Sequence, residues 1–214
     1  MKLKWFGQSC FLLTSSAGTR VLMDPFNKWF GYKVPQVEAD VVTTSHSHKD
    51  HNYIQAVKGN FHHLDQPGSY VHKDIAITGT LTYHDNSMGA KRGNNIVYTF
   101  SVDGIRVCHC GDLGHLLSTD QLNQIGQVDL LLLPVGGSFA ISVAEAQEVR
   151  EQLHPAITIP MHYRTPAMGL GGLFFARVDK FLLVAGENAR QVSELSLDPS
   201  TIAAYAGIVL MAYQ

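Results

Sequence analysis

The run DVVTTSHSHKDHN, residues 40–52, sets the tightest limit on what this 214-residue chain can fold into. A short apolar, strand-like stretch is followed at once by His46, His48, Asp50 and His51. Alternate side chains of an extended segment share a face, so His46 and His48 project to the same side and can offer imidazole nitrogens to one cation. Asp50 and His51 fall where the chain turns toward a helix start, and from there can serve a second cation beside the first. Ser, His and Asp are also at home in a plain strand-to-helix loop. Chance, however, seldom groups three histidines and an aspartate this closely.

Two cations need more ligands, and later strand ends supply candidates: His84 in LTYHD, Asp112 in HCGDLGH and His162 in IPMHY. Each follows an apolar run and precedes a turn or loop. His84 competes for its place with His62, His63 and His72.

The segments around these residues read as a strand-rich α/β chain. Residues 1–24 predict a hairpin turning at SSAGT, and an aromatic-rich loop, FNKWFGYKVPQ, leads to a strand over 39–45. NYIQAVKG predicts a short helix closed by Gly59. SYVHKD, IAITGT and LTYHD predict separate short strands, and Asp103-Gly104 suits the tight turn of a second hairpin. Ser118 with Gln121, and Ser142 with Glu145, mark the capped starts of two helices, the first stopped by Gly126 and the second by Pro155. DLLLLPVGG and AITIPMHY predict strands covered on both faces. Strands with helices between the later ones point to two sheets sandwiched by helices.

With 45% hydrophobic and 16% charged residues, 1–214 is expected to form one domain with a buried core. A net charge of −2 and the lack of any Lys/Arg block make nucleic acid a weak candidate partner. No stretch approaches membrane-spanning length, and the opening residues lack the uninterrupted apolar run of a signal peptide. Cys108 and Cys110 stand too close together for an ordinary disulfide, so these two and Cys10 are expected as free thiols in a reducing cytoplasm.

SHSHKDH matches the H-x-H-x-D-H signature of the metallo-β-lactamase superfamily. WFGQSCFLL, VLMDPF, TYHD, RGNN, VCHCGDLGH, LLPVGGSFAIS and IPMHYRTP follow in an order similar to that of compact metal-dependent hydrolases related to ascorbate-6-phosphate lactonase. The resemblance covers roughly residues 1–185 and implies a four-layer αββα sandwich with a two-metal centre at one edge, usually zinc, sometimes manganese or iron. It implies that His46, His48 and His84 hold one metal, that Asp50, His51 and His162 hold the other, and that Asp112 bridges them. Residues 186–214 have no recognised counterpart. Their apolar end, AGIVLMAYQ, is expected to pack on the core or against a second copy of the chain in a homo-oligomer.

Two cations a few ångströms apart would bring the pKa of a shared water from near 16 to roughly neutral, giving a hydroxide nucleophile that Asp50 could orient. Asp24 could accept the far N–H of a ligand histidine, and His109 is a second candidate for such support. Arg164 and Arg92 could bind an anionic group on a small-molecule substrate. The expected activity is hydrolysis of a small ester, lactone or phosphoester. A nucleic-acid phosphodiesterase and a non-catalytic metal-binding protein are the alternatives.

Overall fold

The computed structural model describes residues 1–214. Short β-branched and aromatic runs bounded by turn residues make strands the main element. The first half of the chain gives β1 (Lys2–Gly7), β2 (Cys10–Thr14), β3 (Arg20–Met23), β4 (Val41–Thr43), β5 (His62–Leu64), β6 (Gly68–His72), β7 (Ile75–Tyr83), β8 (Asn94–Val102) and β9 (Ile105–His109). The second gives α1 (Thr119–Ile125), β10 (Leu130–Pro134), α2 (Val143–Leu153), β11 (Ile157–Met161), α3 (Val178–Ala185), β12 (Ala189–Val192), β13 (Leu195–Ser196) and β14 (Gly207–Met211).

These strands form two mixed sheets. One has six strands in the order β13-β1-β2-β3-β4-β5, the other eight in the order β12-β14-β11-β10-β9-β8-β7-β6. The main core lies between them, with Trp5, Phe11, Leu13 and Met23 from the first sheet and Ile77, Tyr98, Phe100 and Ile159 from the second. Every residue of β10 is buried, as its unbroken apolar run requires of a strand flanked by parallel neighbours.

Both capping boxes form as the sequence spells them, Ser118 with Gln121 and Ser142 with Glu145. α1 packs on β7 and β8, and α2 on β10 and α3, so these helices cover the eight-stranded sheet. Over the six-stranded sheet the outer layer is built from 3-10 turns at Lys28–Phe30, Ile54–Ala56 and Pro166–Phe174. A smaller apolar cluster, including Phe6, Leu22, Phe26, Tyr32, Val42 and Met168, fills the space beneath them.

Three local expectations change. Residues 1–24 make three strands, because the chain breaks at Gln8, whose backbone is left-handed (φ 48°). The segment after the histidine cluster makes only the turn Ile54–Ala56. Its ends are tied to the loop before β4 through Tyr53 N–H to the Pro25 carbonyl (2.7 Å) and Lys58 N–H to the Val37 carbonyl (2.9 Å), which leaves no length for a helix reaching Gly59. IAITGT and LTYHD fuse into the nine-residue β7, held throughout by pairing with β8.

The segment past residue 186 joins both sheets: β13 pairs with β1, and β14 lies between β11 and β12. Ile208, Val209 and Met211 are buried in the chain's own core, so most of this apolar run packs within the chain. No helix is long and apolar enough to cross a membrane.

Strand direction places the site. β7 is antiparallel to β8 and β8 to β9, while β9, β10 and β11 are parallel, so β7, β9 and β11 all end at the same edge. In the other sheet β1, β3 and β4 share one direction. In sheets with parallel strands, ligands gather beyond the carboxyl ends.

Candidate metal centre

The residues immediately beyond these strand ends converge. β4 is followed by His46, His48, Asp50 and His51, β7 by His84, β9 by Asp112 and β11 by His162. They fall into two groups, His46 with His48 and His84, and Asp50 with His51, Asp112 and His162, and within each group the donor atoms lie within 4.8 Å of one another. Asp112 spans the two. Its Oδ2 is 3.3 Å from His84 Nε2, 3.3 Å from His51 Nε2 and 3.9 Å from His46 Nε2, and its Oδ1 is 3.4 Å from His162 Nε2. Asp50 Oδ2 lies 3.5 Å from His51 Nε2 and 3.6 Å from His162 Nε2, and His46 Nε2 lies 3.0 Å from His48 Nδ1.

These separations suit atoms that share a cation. Two ligands of a tetrahedral zinc at roughly 2.0–2.1 Å stand about 3.3 Å apart. His51 Nε2, His162 Nε2 and Asp112 Oδ1 are also buried without any hydrogen-bond partner. Leaving such atoms unmet costs about 1–3 kcal/mol each, more where charge is involved, which an arriving cation removes.

Hydrogen bonds behind the cluster fix which nitrogen faces inward. His51 donates Nδ1–H to Asp24 Oδ2 at 2.7 Å, leaving Nε2 directed at the centre. Asp24 also accepts the Ser45 amide (2.7 Å) and hydroxyl (2.6 Å), so the Ser45 oxygen accepts from His46 Nδ1 at 3.0 Å. One aspartate thus orients two histidines, one directly and one through a serine. Asp112 is set by its own N–H, which donates to Asn95 Oδ1 at 2.9 Å, while Asn95 Nδ2 donates to Thr82 Oγ1 and the Cys110 carbonyl.

The electrostatics follow from three buried or half-buried carboxylates among imidazoles. Burial, and then the charge of His51, pushes His46 down to about 3, so this ring is neutral near pH 7 with a lone pair to give. Burial would lower His51 too, but Asp112, Asp50 and Asp24 outweigh it and hold the ring well above the usual histidine range. Burial alone would raise Asp50 and Asp112. The neighbouring histidines, His51 for Asp50 and His162 with His51 for Asp112, keep both carboxyls below the usual range. A proton on His51 therefore balances charge that a divalent cation would balance in its place.

Close backbone packing holds two of the turns that carry the candidate ligands. A Cβ on Gly114 would stand 2.2 Å from the carbonyl carbon of His84, and one on Gly136 would stand 1.9 Å from the carbonyl oxygen of His162. His162 and Asp24 adopt left-handed backbone (φ 54° and 44°), a conformation that side-chain-bearing residues hold only where surrounding contacts enforce it.

Gln8, not among the candidate site residues, is fully buried beside the cluster. Its carbonyl accepts the His162 N–H (3.2 Å) and the Trp5 indole N–H (3.0 Å), and its amide donates to Asp50 Oδ2 (3.4 Å). The break it makes after β1 was the available signal. His109 touches none of the seven side chains through a hydrogen bond. It donates Nε2–H to the Ser9 carbonyl (2.8 Å) and accepts the Gly111 N–H at Nδ1 (3.3 Å), bracing the loop that carries Asp112. The three cysteines are buried free thiols.

A cavity of about 510 Å³ opens over the cluster, floored by His48, Asp50, His84 and Asp112. Arg92 lines it, with several aromatic residues that the sequence left unassigned. Arg164 lines a different depression, with Tyr163, Arg177 and Tyr213, because residue 164 already points away from the rim that holds His162.

Comparison with known proteins agrees with this architecture. The model of the β-lactamase superfamily domain matches residues 2–162. A UPF0173 metal-dependent hydrolase of Archaeoglobus fulgidus is 30% identical over 196 residues, 77% of this chain and 84% of that protein. A crystal structure from Thermotoga maritima, bearing the name of a Zn-dependent hydrolase of the metallo-β-lactamase superfamily, superposes with a TM-score of 0.83 at 39% identity and covers 100% of this chain and 99% of its own. That coverage includes the segment past residue 186, which therefore has a counterpart. An isothiocyanate hydrolase from Delia radicum gut bacteria shares the fold, with a TM-score of 0.69 at 16% identity over 99% of this chain and 96% of its own. Histidines and aspartates gathered at strand ends, paired mixed sheets and a family match over most of the sequence lead to one conclusion: the chain belongs to the metallo-β-lactamase superfamily.

Proposed function

We propose that this chain is a metal-dependent hydrolase of a small ester, lactone or phosphoester, working with two divalent cations, zinc foremost. His46, His48 and His84 would hold one cation, Asp50, His51 and His162 the other, and Asp112 would lie between them. The observation that carries this reading is the placement of Asp112, whose two oxygens face histidines of both groups at 3.3 and 3.4 Å while Oδ1 lacks any other partner. Bound there, such cations supply Lewis acidity and a water acidic enough to give hydroxide near neutral pH.

The chain's own residues do the rest. Asp24 and Ser45 keep the lone pairs of His51 and His46 turned inward. Asp50 lines the cavity floor and is ionised near neutral pH, held there by His51 against the effect of burial. It is placed to accept a hydrogen bond from water approaching the substrate and to orient it, and the Gln8 amide steadies it. The aromatic walls of the cavity give the substrate body an apolar surface to lie against. A nucleic-acid substrate gains no support from a chain of net charge −2 with one arginine on its cavity.

The test is metal analysis of protein purified without chelator and supplied with zinc. Turnover of carboxylic esters, lactones and phosphodiesters is then measured with and without EDTA. Two metal equivalents and an EDTA-sensitive activity on at least one class are expected. Fewer than one equivalent, or turnover indifferent to EDTA, would overturn the reading.

A further inference from the structure

The cavity has two chemically different ends. Its floor is the polar cluster, and its walls carry Trp29, Phe30, Phe139, Phe174 and Phe175. Trp29 and Phe174 are 81% and 68% exposed. Large apolar side chains left in water around one cleft mark a ligand surface. The groups also form a path outward from the floor. The Phe175 ring lies 5.1 Å from the His162 ring, Phe139 lies 5.3 Å from Phe175, and the Arg92 guanidinium lies 5.3 Å from the centre of the Phe139 ring.

Arg92 is held at the end of that path. Its N–H donates to Asp85 Oδ2 at 2.7 Å, and the same carboxylate accepts the N–H groups of Ser87 (2.7 Å), Gly89 (3.0 Å) and Lys91 (2.9 Å). Asp85 directly follows His84, so the loop carrying Arg92 is tied to the centre itself. The guanidinium is placed by Nη2–H donation to the Ser138 carbonyl at 3.0 Å and by the face of Phe139. Arg92 is not among the ion-paired arginines, Arg20, Arg150 and Arg177, so it stands on the cavity as a held cation without a carboxylate partner. A guanidinium stacked on a ring with free N–H edges suits the planar, bidentate geometry of a carboxylate. It is the only Lys or Arg side chain lining the cavity, which fits one negative charge better than a phosphate dianion.

We infer that the substrate is a carboxylic ester or lactone with a flat, apolar body and a carboxylate. The scissile group lies over the floor, the body along Phe175 and Phe139, and the carboxylate on Arg92. This names the substrate class for the hydrolytic reading above and rests on it.

Binding and turnover test the two separately. Biphenyl-4-carboxylate, its uncharged carboxamide and biphenyl-4-phosphonate are titrated by calorimetry into the full chain after EDTA treatment, so that no metal competes for the anion. The carboxylate should bind roughly tenfold or more tighter than the carboxamide, the worth of one charge-assisted pair. Arg92→Gln should erase that preference, Arg92→Lys should keep part of it, and Phe139→Ala should weaken both ligands, the carboxylate at least as much as the carboxamide because the ring also seats Arg92. A preference that is absent, that survives Arg92→Gln, or that goes to the phosphonate overturns the inference. In parallel, zinc-supplied protein is assayed on the 4-nitrophenyl ester of benzoic acid and on the mono-4-nitrophenyl ester of terephthalic acid. Arg92→Gln should lower the charged-to-neutral ratio of kcat/KM. Ester turnover without the binding preference sinks the inference and leaves the hydrolase reading standing. The preference with turnover of phosphodiesters but of no ester or lactone overturns the inferred substrate class, and the preference with no turnover of any of the three supports the anion site and sinks the hydrolase reading.

Discussion

The floor and the wall of the one cavity are built on opposite rules. On the floor, His46 and His51 are locked by further hydrogen bonds reaching back to the Asp24 carboxylate, and Asp112 is fixed through its own N–H to Asn95. On the wall, Trp29, Phe139 and Phe174 sit on turns and loops, each at least 40% exposed, and Arg92 is the side chain tethered there. The contrast separates two jobs. Groups that meet reacting atoms need fixed geometry and come from strand ends, whereas groups that meet a substrate body can come from loops that change without disturbing the sheets.

If that division is right, damage should sort by side of the cavity. Asp112→Ala removes the carboxylate shared by both groups and should cut turnover by about 10³-fold or more, with metal content falling to at most one equivalent. Retained metal and activity would break the contrast at its strongest point. Asp24→Asn should leave the wall intact but weaken metal binding by roughly 10–100-fold, read by competition with a chromophoric chelator. Phe139→Ala should do the reverse: KM rises about 5- to 30-fold, the equivalent of about 1–2 kcal/mol of lost contact, with metal affinity unchanged. Last, Ser142→Ala removes the cap of α2, on the helical layer, and should cost about 1 kcal/mol in denaturant unfolding without touching either face. A loss of metal in that variant would mean that the centre is less insulated from the helical layer than its strand-end origin implies.

The floor was legible in the sequence because its chemistry is local. His46 to His51 sit in one run, and His84, Asp112 and His162 each follow an apolar strand, so their convergence needs only strands that end at one edge. Asp24 was legible for the same reason, at the end of β3. The wall was not. Its aromatics come from turns near residues 29, 139 and 174, and nothing in their spacing says that these loops face one cavity. Of the two cations near motif residues, Arg92 read more readily than Arg164 as a solvated surface charge. What separates them is the Asp85 carboxylate gathering four N–H groups, and the way the chain turns after His162. Helix starts were written in Ser-x-x-Gln and Ser-x-x-Glu, while the missing helix at 52–59 was decided by contacts with the loop before β4.

Gly114 and Gly136 carry this division one step further. Neither has a functional group, yet a single methyl at either would collide with the peptide that presents His84 or His162. In a library that randomises the scaffold to seek new activities, these two blank positions should tolerate change as poorly as the imidazoles beside them. Useful diversity would have to be drawn from the aromatic loops alone.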